Sequence, residues 1–207
     1  MLGIEFLKKE NDKNNDDKCR TNLDKSCSTT DTHGNLSVLM QEIILSGVAT
    51  LDTHNEKGPY VFYDIKTGEE CVFNEKDKTL SVGNKMKFPS DVIVYPRLKI
   101  NENFKGSFTH IGDAIHGKNP YSSECFALLM DLTEQAEKAK VNFNYLFGNH
   151  EDFVIKHNIF VTGRMGDRHG FKTVCGRDRV GKAAAIRKRY YDAVNSRKIK
   201  VCYYDEK

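Results

Sequence analysis

Between Phe108 and Asp152 the chain twice runs a short strand-like stretch into a polar turn led by glycine, with a helix-like stretch between them. The first turn is Gly112-Asp113 and the second is Gly148-Asn149-His150-Glu151. Before the second turn, Val141, Phe143, Tyr145 and Phe147 alternate with Asn142, Asn144 and Leu146, the period of a strand. Between the turns, Ser122 or Ser123 is suited to cap a helix whose buried stripe is Phe126, Leu129, Met130 and Thr133. An earlier stretch, Asp31-Thr32-His33-Gly34-Asn35, has the same polar character. It opens a second helix, because Leu36, Leu39, Met40, Ile43 and Ile44 recur at helical spacing, with Asn35 as N-cap and Gly47 as stop. This order predicts an α/β domain, in which ligands gather at the carboxyl ends of the strands.

The remainder of the chain supplies flanking pieces. Residues 1–30 are rich in Asn, Asp, Lys and Ser beyond a short apolar patch, and read as a loose polar tail that buries too little to offset ordering entropy. Residues 31–160 are expected to form the α/β domain. A β-rich insertion at about 55–105 interrupts it, with a hairpin of Tyr60–Ile65 and Cys71–Phe73 around Lys66-Thr67-Gly68-Glu69 and a further run at Asp91–Tyr95. Residues 161–207 form a basic C-terminal segment containing a Gly- and Arg-rich loop, a helix over Arg179–Arg197 and a last short strand at Lys198–Tyr204.

The three polar clusters carry the chemistry. Asp, His and Asn side chains are ligands for hard or borderline metals. Asp31 and His33, two residues apart in an extended loop, can point to one side and hold one ion. Asp113 is suited to bridge to a second ion, and Asn149 to ligate it. Two ions about 3.5–4 Å apart clamp a phosphate and activate a water between them. His150 beside them is placed to protonate the leaving oxygen. Gly148 permits the tight turn that such a cluster needs.

In this order the clusters resemble the motifs of the calcineurin-like metallophosphoesterases, the superfamily of the phosphoprotein Ser/Thr phosphatases. DTHGNLSVL resembles the first motif, IGDAIHGKNPYS the second and LFGNHED the third. The resemblance covers roughly Asp31 to Asp152. It implies an α/β sandwich, a centre of two divalent ions (Mn, Fe or Zn) and hydrolysis of a phosphorylated protein or small phosphoester. It makes Asp31, His33, Asp113 and Asn149 metal ligands, Asp113 the bridge, and His150 the acid. The pattern also departs from the family. Ser-Cys-Ser-Thr-Thr replaces the apolar strand before the first motif, so the first strand is expected to be short, displaced or lost. His116 and Gly117 stand where the phosphatase branch has Asp-Arg, leaving His116 as the candidate substrate contact. After His150 only His157 and His169 follow, and neither lies in the Gly-His-x-His motif that closes the site in the family. The expected sandwich is therefore incomplete, as in a C-terminally truncated chain. The alternative is a degenerate phosphoesterase-fold protein acting as a binding module with weak or no catalysis.

Charge and cysteine usage bound the partners. Arg164–Lys200 holds twelve Lys/Arg against three Asp/Glu, which is suited to a solvated helix face or, less directly, to nucleic acid. No apolar run approaches the roughly 20 residues of a membrane span, and the N-terminus lacks the long apolar region of a signal peptide. The six cysteines show no CxxC spacing and read as reduced thiols, so the chain is expected in the cytoplasm.

Overall fold

The computed structural model describes residues 25–64, 68–74, 76–87, 92–114, 121–151 and 189–200. The fold is mixed α/β, with one parallel sheet and several small antiparallel ones. Four strands form the parallel sheet: β1 (Cys27–Thr29), β9 (Ser107–Ile111), β10 (Asn142–Leu146) and β11 (Ile199–Lys200), in that order across the sheet. Strand order follows chain order, and all three pairings are parallel. β1 lies in a stretch assigned from sequence to the tail. It is short, as its polar composition implies, and is tethered to the next helix by the Thr29 hydroxyl, which bonds Glu42.

Helix α1 (Leu36–Leu45) forms as its stripe predicts, burying Leu39, Met40 and Ile43. The Asn35 side chain accepts the Val38 N–H at 3.3 Å, and Gly47 takes φ 78° just past the helix end. Helix α2 (Ser122–Ala139) packs on β10 and on two antiparallel strands, β7 (Val92–Pro96) and β8 (Leu98–Ile100). Its N-cap is Tyr121, which makes no side-chain cap bond; Ser122 and Ser123 are instead the first helical residues, and both are buried. The core joins both helices to the sheet, and Phe108 of β9 stacks on Phe143 of β10 with centroids 5.2 Å apart. Central parallel strands are covered on both faces. That is why Asn144, expected on the polar side of β10, is 1% exposed, with its side-chain oxygen accepting from the Lys200 ammonium.

The insertion is built differently from the expected hairpin. β3 (Tyr60–Asp64) pairs antiparallel with β7 (Val92–Pro96), and β4 (Val72–Asn74) pairs with β5 (Thr79–Val82), which pairs with β6 (Lys85–Lys87). Residues at the end of β3 and the start of β4 do meet, through the bridge Tyr63–Glu70 and the Cys71 N–H donating to Phe62 O at 2.6 Å. The strands then part, because Leu80, Cys71 and Val92 gather into a separate small core. β2 (Ala49–Leu51) pairs with β8 (Leu98–Ile100), so the excursion leaves and returns side by side. Gln135 of α2 clamps this base by donating to Leu98 O and accepting from Ile100 N, both at 3.0 Å.

Of the basic C-terminal segment, helical residues 189–195 and β11 are described, and Tyr190 packs against Phe126 and Phe147. The loop at 163–179 and most of the helix expected over Arg179–Arg197 lie outside the described residues. Among the described residues Cys27, Cys71 and Cys125 are free thiols, and no helix is long and apolar enough to cross a membrane.

Candidate metal centre

The three polar clusters meet at the carboxyl ends of β1, β9 and β10. The loop after β1 is zipped onto the loop after β9 by main-chain bonds: His33 N–H to Asp113 O at 2.8 Å and Gly34 N–H to Ala114 O at 2.9 Å. The Thr30 hydroxyl adds a bond to Ile111 O at 3.0 Å. The loop is not the extended segment read from sequence. Asp31 (φ 59°), His33 (φ 45°) and Asp113 (φ 56°) all take left-handed backbone, which costs a non-glycine residue on the order of 1 kcal/mol. Such strain concentrates where the surrounding bonds over-determine a functional geometry, and the zipped loops are what enforce it here.

The loop after β10 closes the group. The His150 N–H donates to Asp113 Oδ1 at 2.9 Å. Glu151, fully buried, holds both turns with one carboxylate: Oε2 accepts from Asp113 N at 2.7 Å and Gly148 N at 3.0 Å, and Oε1 from Ala114 N and the Tyr145 hydroxyl, both at 2.9 Å. An ionised carboxylate is an acceptor only, and here four donors face it. Burial, then the Glu151 charge, pushes the Tyr145 phenol well above its ordinary range, so it stays a donor. Glycine is required at the contact between the turns: a Cβ on Gly112 would stand 2.3 Å from Gly148 Cα, and one on Gly148 would stand 2.4 Å from Asp113 Oδ1.

Of the residues singled out from sequence, His33, Asp113 and His150 come together, each offering a ligand atom within 4.8 Å of the others. They form one possible metal-binding triad. Ligands about 2 Å from an ion stand roughly 3 Å apart, so small side-chain adjustments bring these atoms onto one ion, and imidazole with carboxylate suits Zn, Mn or Fe. The His33 and His150 rings lie with centroids 4.5 Å apart. Asp31 touches the group through His33, with Oδ1 3.6 Å from Nε2, and its side chain is 59% exposed. Asn149 is exposed in the same turn as His150. His116, Gly117, His157 and His169 lie outside the described residues.

Two buried parts of the site carry no distinguishing signal in the sequence: Glu151 and the pair Thr32 and His110. Glu151 belongs to the second polar turn, but nothing local marks it as a staple. His110 is fully buried on β9, its Nε2 3.3 Å from the Thr32 hydroxyl, and desolvation lowers its imidazole to about 4 against a smaller opposing pull from Asp31. Comparison with protein-family models, with curated proteins and with solved structures finds no match.

Proposed function

We propose that the chain is a metal-dependent phosphoric ester hydrolase of the protein Ser/Thr phosphatase kind, and that its parallel sheet belongs to a metallophosphoesterase-like α/β sandwich. The observation that carries the reading is the convergence of His33, Asp113 and His150 at the carboxyl ends of the parallel strands. What supports it further is that the motifs resembling that superfamily meet in space, with glycines at their closest contact.

In this reading Asp31, His33 and Asp113 would hold a first divalent ion, and Asp113 and Asn149 would hold a second, of Mn, Fe or Zn. When bound, such ions polarise a phosphoryl oxygen and make water a nucleophile at neutral pH. The chain's own contribution is orientation. The Asp113 carboxylate is fixed by the His150 N–H, which leaves lone pairs for ligation. The His150 ring, its centroid 4.5 Å from that of His33, would in this reading serve as the acid for the leaving oxygen instead of as a third ligand. The substrate is a phosphorylated protein or a small phosphoester.

The second reading is a binding module of the same fold with little turnover. The sequence favours it in one respect: the 207 residues contain no Gly-His-x-His stretch. Metal counting on the purified chain with Mn²⁺, joined to an aryl phosphate assay of wild type and Asp113→Asn, separates the two. Bound Mn²⁺ with hydrolysis abolished by the substitution supports the enzyme. Bound Mn²⁺ without hydrolysis supports the module, and no bound metal with no difference between the two proteins overturns the enzyme.

A further inference from the structure

The floor beneath the triad contains a histidine where a central parallel strand ordinarily carries an apolar side chain. His110 is 0% exposed and stands edge-on to its register partner Tyr145, centroids 5.6 Å apart and planes at 82°. Tyr145 is in turn fixed through its hydroxyl to Glu151. The ring is thus held from one side, and its Nε2 meets the Thr32 hydroxyl at 3.3 Å. Its Nδ1 has no hydrogen-bond partner among the described residues. A buried N–H without a partner is rarer than an under-satisfied acceptor, which favours the tautomer protonated on Nε2, donating to Thr32 Oγ1.

Thr32 is 2% exposed and lies between Asp31 and His33, the two left-handed residues of the first cluster. Its carbonyl accepts the Asn35 N–H at 2.7 Å, closing the turn that starts α1. A rotation at Thr32 therefore swings both side chains. The loop is pinned from the β9 side by its main-chain bonds and from below by this one side-chain bond.

We propose that His110 is a positioning residue for the metal loop: through Thr32 it fixes the orientation of Asp31 and His33 without touching the ion. The proposal rests on the metal-site reading above. Partners that orient ligands in this way are typically worth 10–100-fold in metal affinity.

The test is Mn²⁺ binding by titration calorimetry and the visible absorption of the Co²⁺-loaded protein, for wild type, His110→Leu, Thr32→Val, the double variant and Thr32→Ser. Thermal melts check folding. The expected result is that His110→Leu and Thr32→Val each weaken Mn²⁺ about tenfold and shift the Co²⁺ bands. The double variant should be no weaker than either single one, and Thr32→Ser, which keeps the hydroxyl, should bind like wild type. Wild-type binding unchanged in Thr32→Val, or losses that add in the double variant, overturn the role of His110 alone. If His110→Leu fails to fold, the contrast between Thr32→Val and Thr32→Ser still decides. No Mn²⁺ binding by wild type overturns the metal site and this inference together.

Discussion

Glu151 Oε2 accepts the main-chain N–H of Asp113 at 2.7 Å, joining the turns that end β9 and β10. The same oxygen takes Gly148 N, while Oε1 takes Ala114 N and the Tyr145 hydroxyl. In Glu151→Gln, either orientation of the amide aims an NH₂ group at two donors. Leaving such buried groups unsatisfied costs about 1–3 kcal/mol each, so a loss on the order of 3 kcal/mol is expected in urea unfolding, with weakened Mn²⁺ binding in the folded fraction. A melt and a Mn²⁺ titration equal to wild type would show that the staple is dispensable.

The glycine contact gives a second expectation. A methyl on Gly148 meets Asp113 Oδ1, Asp113 N and Glu151 Oε2 within 2.4–2.7 Å, so the turns must separate. Overpacking of this kind costs about 1–3 kcal/mol. Gly148→Ala is expected to lower the melting temperature and to weaken Mn²⁺ more than Gly58→Ala. Gly58, at φ 86°, carries the backbone cost of a left-handed residue, which Gly148 does not, but has nothing within 4 Å of its Cβ position. An effect of Gly148→Ala no larger than that of Gly58→Ala would mean that the close approach does not govern position 148.

A third concerns pH. Burial lowers His110 to about 4 from an ordinary 6.5, so the unfolded chain binds a proton that the folded chain refuses between those values. Unfolding thus takes up protons there, and stability rises with pH. This contribution is fully present above pH 6.5 and is lost as pH falls toward 4, by about 3 kcal/mol in all. Melts of wild type and His110→Leu at pH 7.5 and 5 should show a smaller decline for the variant. Parallel declines would mean that His110 does not set the slope.

The insertion offers a control remote from the metal site. Lys87, 15% exposed, pairs with the fully buried Asp64. Removing one partner of a buried pair typically costs about 3–5 kcal/mol, because the remaining charge stays desolvated. Lys87→Met should destabilise the β4–β6 region, read as faster amide exchange there, while Mn²⁺ affinity holds. Weakened Mn²⁺ binding in this variant would show that the insertion and the site are energetically coupled.

What could be read in the sequence follows from periodicity. Helix α1 was legible because its stripe from Leu36 to Ile44 has helical spacing and Asn35 caps it, and β9, α2 and β10 were legible for similar local reasons. The partners of β3 and β4 were not, since a turn signal at Lys66–Glu69 fixes where the chain reverses but not which strands then pair. The ligand cluster was half legible. His33, Asp113 and His150 stand in recognisable turns, but the left-handed backbone at Asp31 and His33 is imposed by bonds from Asp113 and Ala114, some eighty residues later. Glu151, Thr32 and His110 were hidden because a polar residue in a short run looks like surface until the sheet covering it is known.

The antiparallel pairing of Ala49 with Ile100 and Leu51 with Leu98 means that nearly fifty residues depart and return through a doorway two strands wide. Gln135 bolts that doorway to α2. β3 and β7 just beyond it share the main core, whereas the β4–β6 sheet rests on a small core of its own and can change its surface without moving the ends of β9 and β10. The chain can therefore revise what it presents to other molecules while the turns that gather His33, Asp113 and His150 stay in place.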